Sequence, residues 1–453
     1  MNPTNEKIKN VFICVLLAGM LYLTYSVWFF DSPFEAADTD GLFGISQNNP
    51  VSDAAEGKDL DAFGIRPLGV LVRNGEILRG AIYNSAKCDE IYKQLRKDIA
   101  GVMEGAKATE TVDEAEWERA LSEDGVFLDY YGNIPVEAMK LWLGGTAASG
   151  SACGRYYMFS TAEKNVTVYV KNSLTDAVYR ISTSSNSEEF AKLLSGVSAD
   201  PASLAVEREE EDFRALLKET IVVDGAIRLP AIAAHNLYEN FRTSIEKVCL
   251  EAFGLYDVSP STYSEADGTA VYIADMVTLK ISPSGIATYS DPRGFADETL
   301  GLSVDSQGEL PTLAEKVESA RSLCESIAKP LPGSGGIYIM SIGETGGRTE
   351  ILFGRHVGGV PVNMNGSVCF ARVEIKDSYI RSANVNFRGY DVTAQNTDVL
   401  SVRIAAAAVN GAKKTGDMRL CYNDDGAEAI SPVWFINEKA ADGKEDGDEL
   451  VES

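Results

Sequence analysis

The stretch VYIADMVTLKISPSGIATYS, residues 271–290, decides the fold class that the sequence predicts. Apolar and polar residues alternate on both sides of the segment Ser282-Pro-Ser-Gly285, a pattern typical of two half-buried strands joined by a tight turn. The segment ARVEIKDSYIRSA, residues 371–383, has the same strand–turn–strand pattern. We therefore predict two antiparallel hairpins, and we interpret the regions that surround them as distant repeats.

Segments with helical spacing of apolar residues separate the strand patterns. They cover residues 86–105, 185–197, 229–254 and 312–330. The segment 185–197 is predicted to begin with a capping box between Ser185 and Glu188. The segment 229–254 is predicted to be one long helix that ends at Gly254. Helices that alternate with hairpins predict an α+β fold, in which helices pack on mostly antiparallel sheets.

Changes in composition divide the chain further. They predict a cytoplasmic stub (1–10), a transmembrane helix (11–30), a linker (31–59), three extracytoplasmic α+β domains (60–198, 199–330 and 331–438) and an acidic disordered tail (439–453). The linker is rich in Asp, Gly, Ser, Asn and Pro, which is typical of a tether. The tail holds six acidic residues and two lysines, as expected of a solvated end.

The segment from Val11 to Phe30 has no charged residue over 20 positions. A helix of that length spans about 30 Å, the thickness of the hydrocarbon core of a bilayer. Lys7 and Lys9 precede it and acidic residues follow it, so the positive-inside rule places the N-terminus in the cytoplasm and the bulk of the chain outside. A cleaved signal peptide is the alternative, but the apolar run continues through Phe30 and no A-x-A cleavage site follows.

Small side chains recur along one stripe of this predicted helix. Ala18, Gly19 and Ser26 share the stripe with Tyr22. Small residues allow helices to approach closely in lipid, so we predict that these four residues contact a partner helix in the membrane. The alternative is that the small residues occur by chance.

The charge of the chain excludes several functions. The sequence has 41 Lys and Arg against 67 Asp and Glu, for a formal net charge of −26. Such an acidic surface repels phosphate backbones, so no nucleic acid is predicted as a partner. The only two histidines, His235 in a predicted helix and His356 in a predicted strand, do not suffice for a His-rich metal site. No motif supports a catalytic, metal or cofactor site, and the residues alone do not exclude an enzyme.

Six cysteines lie beyond the predicted membrane helix, between Cys88 and Cys421. An even number in an exported region allows up to three disulfides. The apolar surroundings of Cys249, Cys369 and Cys421 favour buried thiols equally well. Both alternatives remain open from the sequence.

The order of these features resembles the YycH/YycI-type extracytoplasmic regulators of Gram-positive bacteria. The segments that carry the resemblance are Trp28-Phe29-Phe30, FLDYYGNIP (127–135), VYIADMVTLKISPSGIATYSDP (271–292), FGRHVGGVPVNMNGSVCFARVEIKDSYIRSANVNFRGY (353–390) and LCYNDDGAEAISPVWFIN (420–437). The resemblance covers most of residues 5–438 and is weakest in the first predicted domain. The tail and the Gly/Ala/Ser loop at 144–154 have no counterpart in it.

The resemblance implies a single-pass accessory regulator of the essential YycFG two-component system. Its implied partners are a sensor histidine kinase and a paralogous single-pass regulator, which it would contact through transmembrane helices. The family supplies no catalytic residues and no cofactor, so the resemblance implies that the chain is not an enzyme. A second hypothesis is an anchored extracytoplasmic module that binds and inhibits an envelope protease or a cell-wall enzyme. A soluble 31–453 chain would be active under the second hypothesis and inactive under the first.

Overall fold

The computed structural model describes residues 64–146, 150–225, 227–293, 301–306, 308, 310–333, 335–364, 369–412, 414–438 and 449–450. These residues all belong to one compact unit. The predicted cytoplasmic stub, transmembrane helix and linker lie outside the described residues, as does nearly all of the predicted tail. Within the described ranges, no helix is both long enough and apolar enough to cross a bilayer.

The N-terminal sheet has nine strands, counted over the described residues. They are β1 (Gly69–Asn74), β2 (Ile77–Ile82), β3 (Ala108–Val112), β4 (Gly125–Pro135), β5 (Cys153–Ser160), β6 (Asn165–Lys171), β7 (Val178–Asn186), β8 (Asp200–Leu204) and β9 (Ile221–Val223). Their order is β3-β7-β6-β5-β4-β1-β2-β8-β9. The central strand β4 is buried along its whole length, because its sequence GVFLDYYGNIP is almost continuously apolar and aromatic.

Four helices pack on this sheet: α1 (Ser85–Glu104), α2 (Glu114–Leu121), α3 (Val136–Trp142) and α4 (Ser187–Leu194). The helix predicted over 86–105 is confirmed as α1. The helix predicted in 185–197 is present as α4, but its predicted capping box is wrong. Ser185 still belongs to β7, and Asn186 is the N-cap, whose side chain accepts from the backbone N–H groups of Glu188 and Glu189.

The remaining strands form two further sheets. They are β10 (Ile227–Asn236), β11 (Ser261–Ser264), β12 (Ala270–Ala274), β13 (Val277–Ile281), β14 (Ile286–Ser290), β15 (Leu302–Ser303), β16 (Gly336–Thr345), β17 (Arg348–Val357), β18 (Val360–Met364), β19 (Ala371–Lys376), β20 (Tyr379–Asn386), β21 (Arg388–Val399), β22 (Gly416–Asp424), β23 (Ala429–Ile430), β24 (Pro432–Glu438) and β25 (Glu449–Leu450). Strands β10, β21 and β23 form a small sheet, the ribbon, and the other thirteen described strands form the C-terminal sheet.

Both predicted hairpins lie in the C-terminal sheet. The Ser-Pro-Ser-Gly turn joins β13 to β14, and β19 pairs with β20 across a turn at Asp377. Strand β14 also pairs with β20, so the two hairpins are neighbours. The predicted domain boundary at residue 330 thus falls between strands of one sheet, and the division into three domains stays a prediction.

The helix predicted over 229–254 is only partly correct. Residues Ile227–Asn236 form the strand β10, and the helix α5 covers Leu237–Ala252. Strand β10 pairs with β21 along most of its length, so a long-range ladder overrides the local helical spacing. His235 therefore lies in a strand. Gly254 follows the helix with a φ of +67°, as expected for the glycine that ends it.

Two more helices complete the described fold: α6 (Leu313–Ala328) and α7 (Val402–Gly411). Helix α6 contacts β17 and β19 on one side and α3 on the other, so it connects the C-terminal sheet to the elements of the N-terminal sheet. The indole Nε1 of Trp142 in α3 donates to Glu318 in α6 over 2.7 Å. The largest hydrophobic cluster accordingly takes side chains from Ile65 through Phe387. The described part of the chain is mixed α+β, as predicted.

The sequence left open whether the cysteines form disulfides or remain thiols. All six residues from Cys88 to Cys421 are thiols rather than disulfides. Burial raises the pKa of Cys88 and of Cys153 to about 12, so these two thiols are uncharged at neutral pH.

Candidate functional site

The four residues predicted to contact a partner helix, Ala18, Gly19, Tyr22 and Ser26, lie outside the described residues. That site stays a prediction. The described residues instead contain a buried polar site that sequence reasoning did not find. It joins the N-terminal and C-terminal sheets, and we call Asp129, Tyr131, Arg155, Asp417 and Arg419 the central joint.

Arg155 on β5 is the centre of this joint. Its Nε and Nη2 atoms donate to the two carboxylate oxygens of Asp129 on β4 over 2.7 and 2.8 Å. Its third nitrogen, Nη1, donates to Asp417 on β22. Arg155 thus links two sheets with one planar guanidinium, the geometry in which arginine binds carboxylates most strongly.

The charges of the central joint balance. Arg419 lies beside Asp417, with its Nε 3.7 Å from Oδ2, so two guanidinium groups face two carboxylates. Burial alone would raise the pKa of Asp417, but Arg155 and Arg419 outweigh burial and lower it. Burial likewise opposes the charge of Arg155, and Asp129 and Asp417 raise its pKa well above the ordinary value. Arg155 and Asp417 are therefore ionised at neutral pH, and Arg155 pairs with both Asp129 and Asp417.

Strand β4 is distorted where it meets the joint. Tyr131 has a φ of +65°, which is costly for a residue with a side chain, and the β4–β5 register shifts between Asp129 and Ile134. The ring of Tyr131 lies 5.1 Å from the guanidinium carbon of Arg155. Beside it, a Cβ on Gly132 would overlap the carbonyl oxygen of Ile339 on β16. Glycine at 132 therefore allows the backbones of the two sheets to approach closely.

Further hydrogen bonds hold the same two parts together. The backbone N–H of Ser85 donates to the carbonyl of Gly358 over 2.8 Å. The N–H of Leu420 donates to the hydroxyl of Tyr83 over 3.1 Å, and burial raises the pKa of that hydroxyl, so it stays protonated. Together with the bond between Trp142 and Glu318, these contacts connect the two parts at several elements outside the central joint.

A second buried ion cluster lies within the N-terminal part. Lys171 on β6 donates to Glu219 over 2.5 Å and to Glu114 over 2.8 Å. Trp117 Nε1 donates to the same Glu219 over 2.7 Å. Burial would lower the pKa of Lys171, but the two glutamates raise it, so Lys171 stays charged and is paired with both of them.

The two histidines have different surroundings. His356 on β17 is packed against Gly336, and burial together with Arg355 lowers its pKa to about 4. Its Nδ1 accepts from the N–H of Gly359 over 3.3 Å, so the ring is neutral and structural. His235 on β10 is part-exposed, with Nδ1 3.7 Å from Asp391. Across the described ranges, no group of three or more His, Cys, Asp or Glu side chains is placed to hold a metal ion.

The joint could not be found from local sequence patterns. Arg155 and Asp417 are 262 residues apart, and neither belongs to a motif. The one local signal is the phrase FLDYYGNIP, which places an aspartate and a glycine within an apolar strand. Chemically, the joint offers paired charges and no unused acid or base. Its arrangement couples two sheets mechanically.

The fold defines a class of protein: a mixed α+β chain whose two large, mostly antiparallel sheets are joined through helices and buried ion pairs. Among solved structures, the chain is similar to YycH from Bacillus subtilis, with a TM-score of 0.51 and 11% sequence identity. The similarity covers 85% of this chain and 96% of that chain. This chain therefore has a YycH-type fold, as its resemblance to that family predicted. No protein-family model matches the sequence. No curated protein matches it either.

Proposed function

We propose that this protein is a membrane-anchored accessory regulator of an envelope-sensing histidine kinase. The observation that carries the proposal is the likeness to YycH over 85% of the chain, in a sequence that also has an uncharged stretch from Val11 to Phe30 near its N-terminus. In this proposal the chain crosses the membrane once, with its N-terminus in the cytoplasm and residues 31–453 outside.

The mechanism is differential binding to two states of the kinase. A regulator shifts the balance between two states only by the difference in its affinity for them. We assign that difference to the stripe of Ala18, Gly19, Tyr22 and Ser26, because small side chains allow close contact with a kinase helix. A coupling free energy of about 1–3 kcal/mol would change the ratio of the two kinase states about 5- to 150-fold.

The central joint supports a role for the external part. Because paired charges and the shared core join the two sheets, a ligand bound at one sheet is mechanically connected to the other. The external part would in this way pass a binding event to the membrane helix as one body. A paralogous single-pass regulator is a further partner in this proposal.

The test is the phosphorylation of the cognate response regulator in the source organism. A strain lacking this chain is complemented with the full chain, with an Ala18→Leu/Gly19→Leu variant, or with a Thr24→Leu variant. On a helix, Thr24 would lie on the face opposite the stripe, so it is the matched control. We expect the full chain and Thr24→Leu to restore the parental level, and the double variant to fail while being exported normally.

A secreted 31–453 chain separates the two hypotheses. The regulator proposal requires the membrane helix, so this soluble form should not restore phosphorylation. Full restoration by the soluble form would instead favour the second candidate, an extracytoplasmic module that binds an envelope protease or a cell-wall enzyme.

A further inference from the structure

Arg355 on β17 is a buried cation among apolar side chains. The residue is 5% exposed. Phe353 and Val357, two positions away on either side, lie on the same face of the strand, and both are core residues. The residues opposite Arg355 in the two neighbouring ladders, Ile337 on β16 and Val362 on β18, are also apolar. The strand thus carries a full positive charge on an otherwise apolar face.

Arg355 differs from the other buried arginines in having no partner for its charge. Within the described residues, the buried arginines are Arg96, Arg155, Arg293, Arg321 and Arg355. The first four each donate to a carboxylate or to a backbone carbonyl. For Arg355, no described carboxylate lies within ion-pair distance, and its guanidinium donates no hydrogen bond to a described residue. Its Nε atom is enclosed without a partner.

An aromatic ring stabilises this cation only in part. The guanidinium carbon of Arg355 lies 4.3 Å from the centre of the Phe370 ring. Such a cation–π contact is weaker than the cost of removing an unpaired charge from water. Burial accordingly lowers the pKa of Arg355, although an arginine still keeps its proton at neutral pH. An anion at this position would offset the remaining cost.

The sheet changes its pairing at Arg355. One edge of β17 pairs with β19 as far as Phe353 and with β18 from Arg355 onward. Strand β18 pairs with β22 from Val362, so the backbones of β18 and β19 diverge beside the guanidinium. Irregular pairing of this kind often re-aims a side chain next to a site. Of the three guanidinium nitrogens, Nε is fully enclosed, and the terminal pair, Nη1 and Nη2, is not.

We propose that Arg355 binds the carboxylate of a small organic acid. A planar carboxylate accepts two parallel hydrogen bonds from one guanidinium, and its single negative charge balances the single cation. A phosphate would bring excess negative charge among apolar side chains, so it suits this site less well. The acid must be small, because little of the residue is exposed. The site would add a ligand-binding function that does not depend on the proposed contact with a kinase.

The test is thermal unfolding of the full chain in a neutral detergent at neutral pH and constant ionic strength, with sodium acetate replacing sodium chloride. We expect acetate to raise the Tm of the wild type by about 2–5 °C, with half of the shift reached in the millimolar range. Acetamide, which has a similar shape and no charge, should not raise it.

Arg355→Met is the decisive variant. Acetate also stabilises proteins without binding to a site, so the measured quantity is the difference in the acetate shift between wild type and variant. We expect the saturable shift to disappear in Arg355→Met. In chloride alone, the Tm of Arg355→Met should equal or exceed that of the wild type, because the substitution removes an unpaired buried charge.

Two further variants complete the series. Arg355→Lys keeps the charge but lacks the forked donors, so it should retain a smaller acetate shift than the wild type. Arg372→Met is the matched control, because Arg372 on β19 and its partner Glu350 are each 43% exposed. It should respond to acetate as the wild type does.

Two results would overturn the proposal. One is an acetate shift of equal size in wild type and in Arg355→Met. The other is a marked loss of stability or of folding in Arg355→Met in chloride, which would mean that the native fold already balances the charge of Arg355. A Gly-Glu-Gly peptide with blocked ends carries the same carboxylate on a larger molecule and should give no shift. A peptide shift as large as that of acetate would contradict the assignment to a small acid.

Discussion

The central joint and the cluster of Asp291, Arg293 and Arg381 are both built on buried arginines, but they differ in what they connect. In the joint, Arg155 on β5 pairs with Asp129 on β4 and with Asp417 on β22, so its ion pairs cross from the N-terminal to the C-terminal sheet. In the second cluster, Arg293 pairs with Asp291 and, over 3.9 Å, with Asp275, and Arg381 on β20 lies 3.4 Å from the same Asp291. These residues lie in or beside strands of the C-terminal sheet, so the second cluster connects parts of one sheet.

The largest expected effect comes from breaking the central joint. Arg155→Met would leave Asp129 and Asp417 buried without their main partner, and loss of one member of a buried ion pair costs about 3–5 kcal/mol. We expect a decrease of that size in the free energy of unfolding, measured by urea denaturation of the full chain in detergent. Arg228→Met is the control, because Arg228 and its partner Asp398 are both mostly exposed, so the loss should be under about 1 kcal/mol. Equal losses in the two variants would contradict the assigned role of the joint.

The next effect is the pH dependence of stability that comes from His356. This residue lies near the contact in which the carbonyl of Gly358 accepts from the N–H of Ser85. His356 in this region has its pKa lowered from 6.5 to about 4, so between these values the unfolded chain binds a proton that the folded chain does not. Stability should therefore fall by about 3 kcal/mol as the pH is lowered from 6.5 towards 4. His356→Phe should remove this part of the pH dependence, whereas His235→Asn should retain it. A pH profile that is the same in wild type and His356→Phe would refute the prediction.

A smaller effect is expected where the backbones of the two sheets meet. Gly132→Ala would place a methyl group against the carbonyl oxygen of Ile339, so β4 and β16 must move apart, at a cost of about 2 kcal/mol. Gly101→Ala is the matched control. Gly101 lies in α1 with open space around it, and alanine there should stabilise the protein by about 0.5–1 kcal/mol. Thermal unfolding of both variants compares them directly, and a loss at Gly101 as large as that at Gly132 would argue against close approach as the cause.

The smallest effect on stability is expected in the cluster of Asp291, Arg293 and Arg381. Arg381→Met leaves Asp291 with both hydrogen bonds from Arg293 and removes only a long contact of 3.4 Å, so the free energy of unfolding should fall by about 1 kcal/mol or less. The same urea denaturation measures it. A loss as large as that of Arg155→Met would mean that Arg381 is structural, as Arg155 is, and the contrast between the two clusters would fail.

Local sequence patterns were sufficient to predict the elements that are stabilised by interactions within one short segment. The hairpin around Ser282-Pro-Ser-Gly285 and the helix α1 follow from turn chemistry and from apolar spacing within a single segment. The start of the helix predicted over 229–254 was wrong, because its first residues form β10. That strand is fixed by its ladder with β21, more than a hundred residues away in sequence. The capping box at Ser185 failed for a related reason, since β7 extends through that residue.

The candidate sites were harder to predict than the elements. The central joint brings together side chains from distant strands, and no spacing in the sequence indicates which strands will meet. Tyr131 illustrates this, because its positive φ occurs beside Gly132, where β16 approaches β4, and its residue type gives no signal of it. By contrast, the YycH-type fold was predictable, because it depends on the order of strand and helix patterns along the whole chain.

The proposed regulatory role is tested most directly by site-specific photocrosslinking in the native membrane. A benzoylphenylalanine placed at Tyr22 of the full chain would report the neighbour of the predicted stripe, and the same group at Thr24 would report the opposite face. We predict that the Tyr22 product contains a sensor histidine kinase and that the Thr24 product does not. Equal kinase crosslinking from both positions, or a Tyr22 product without any kinase, would contradict it.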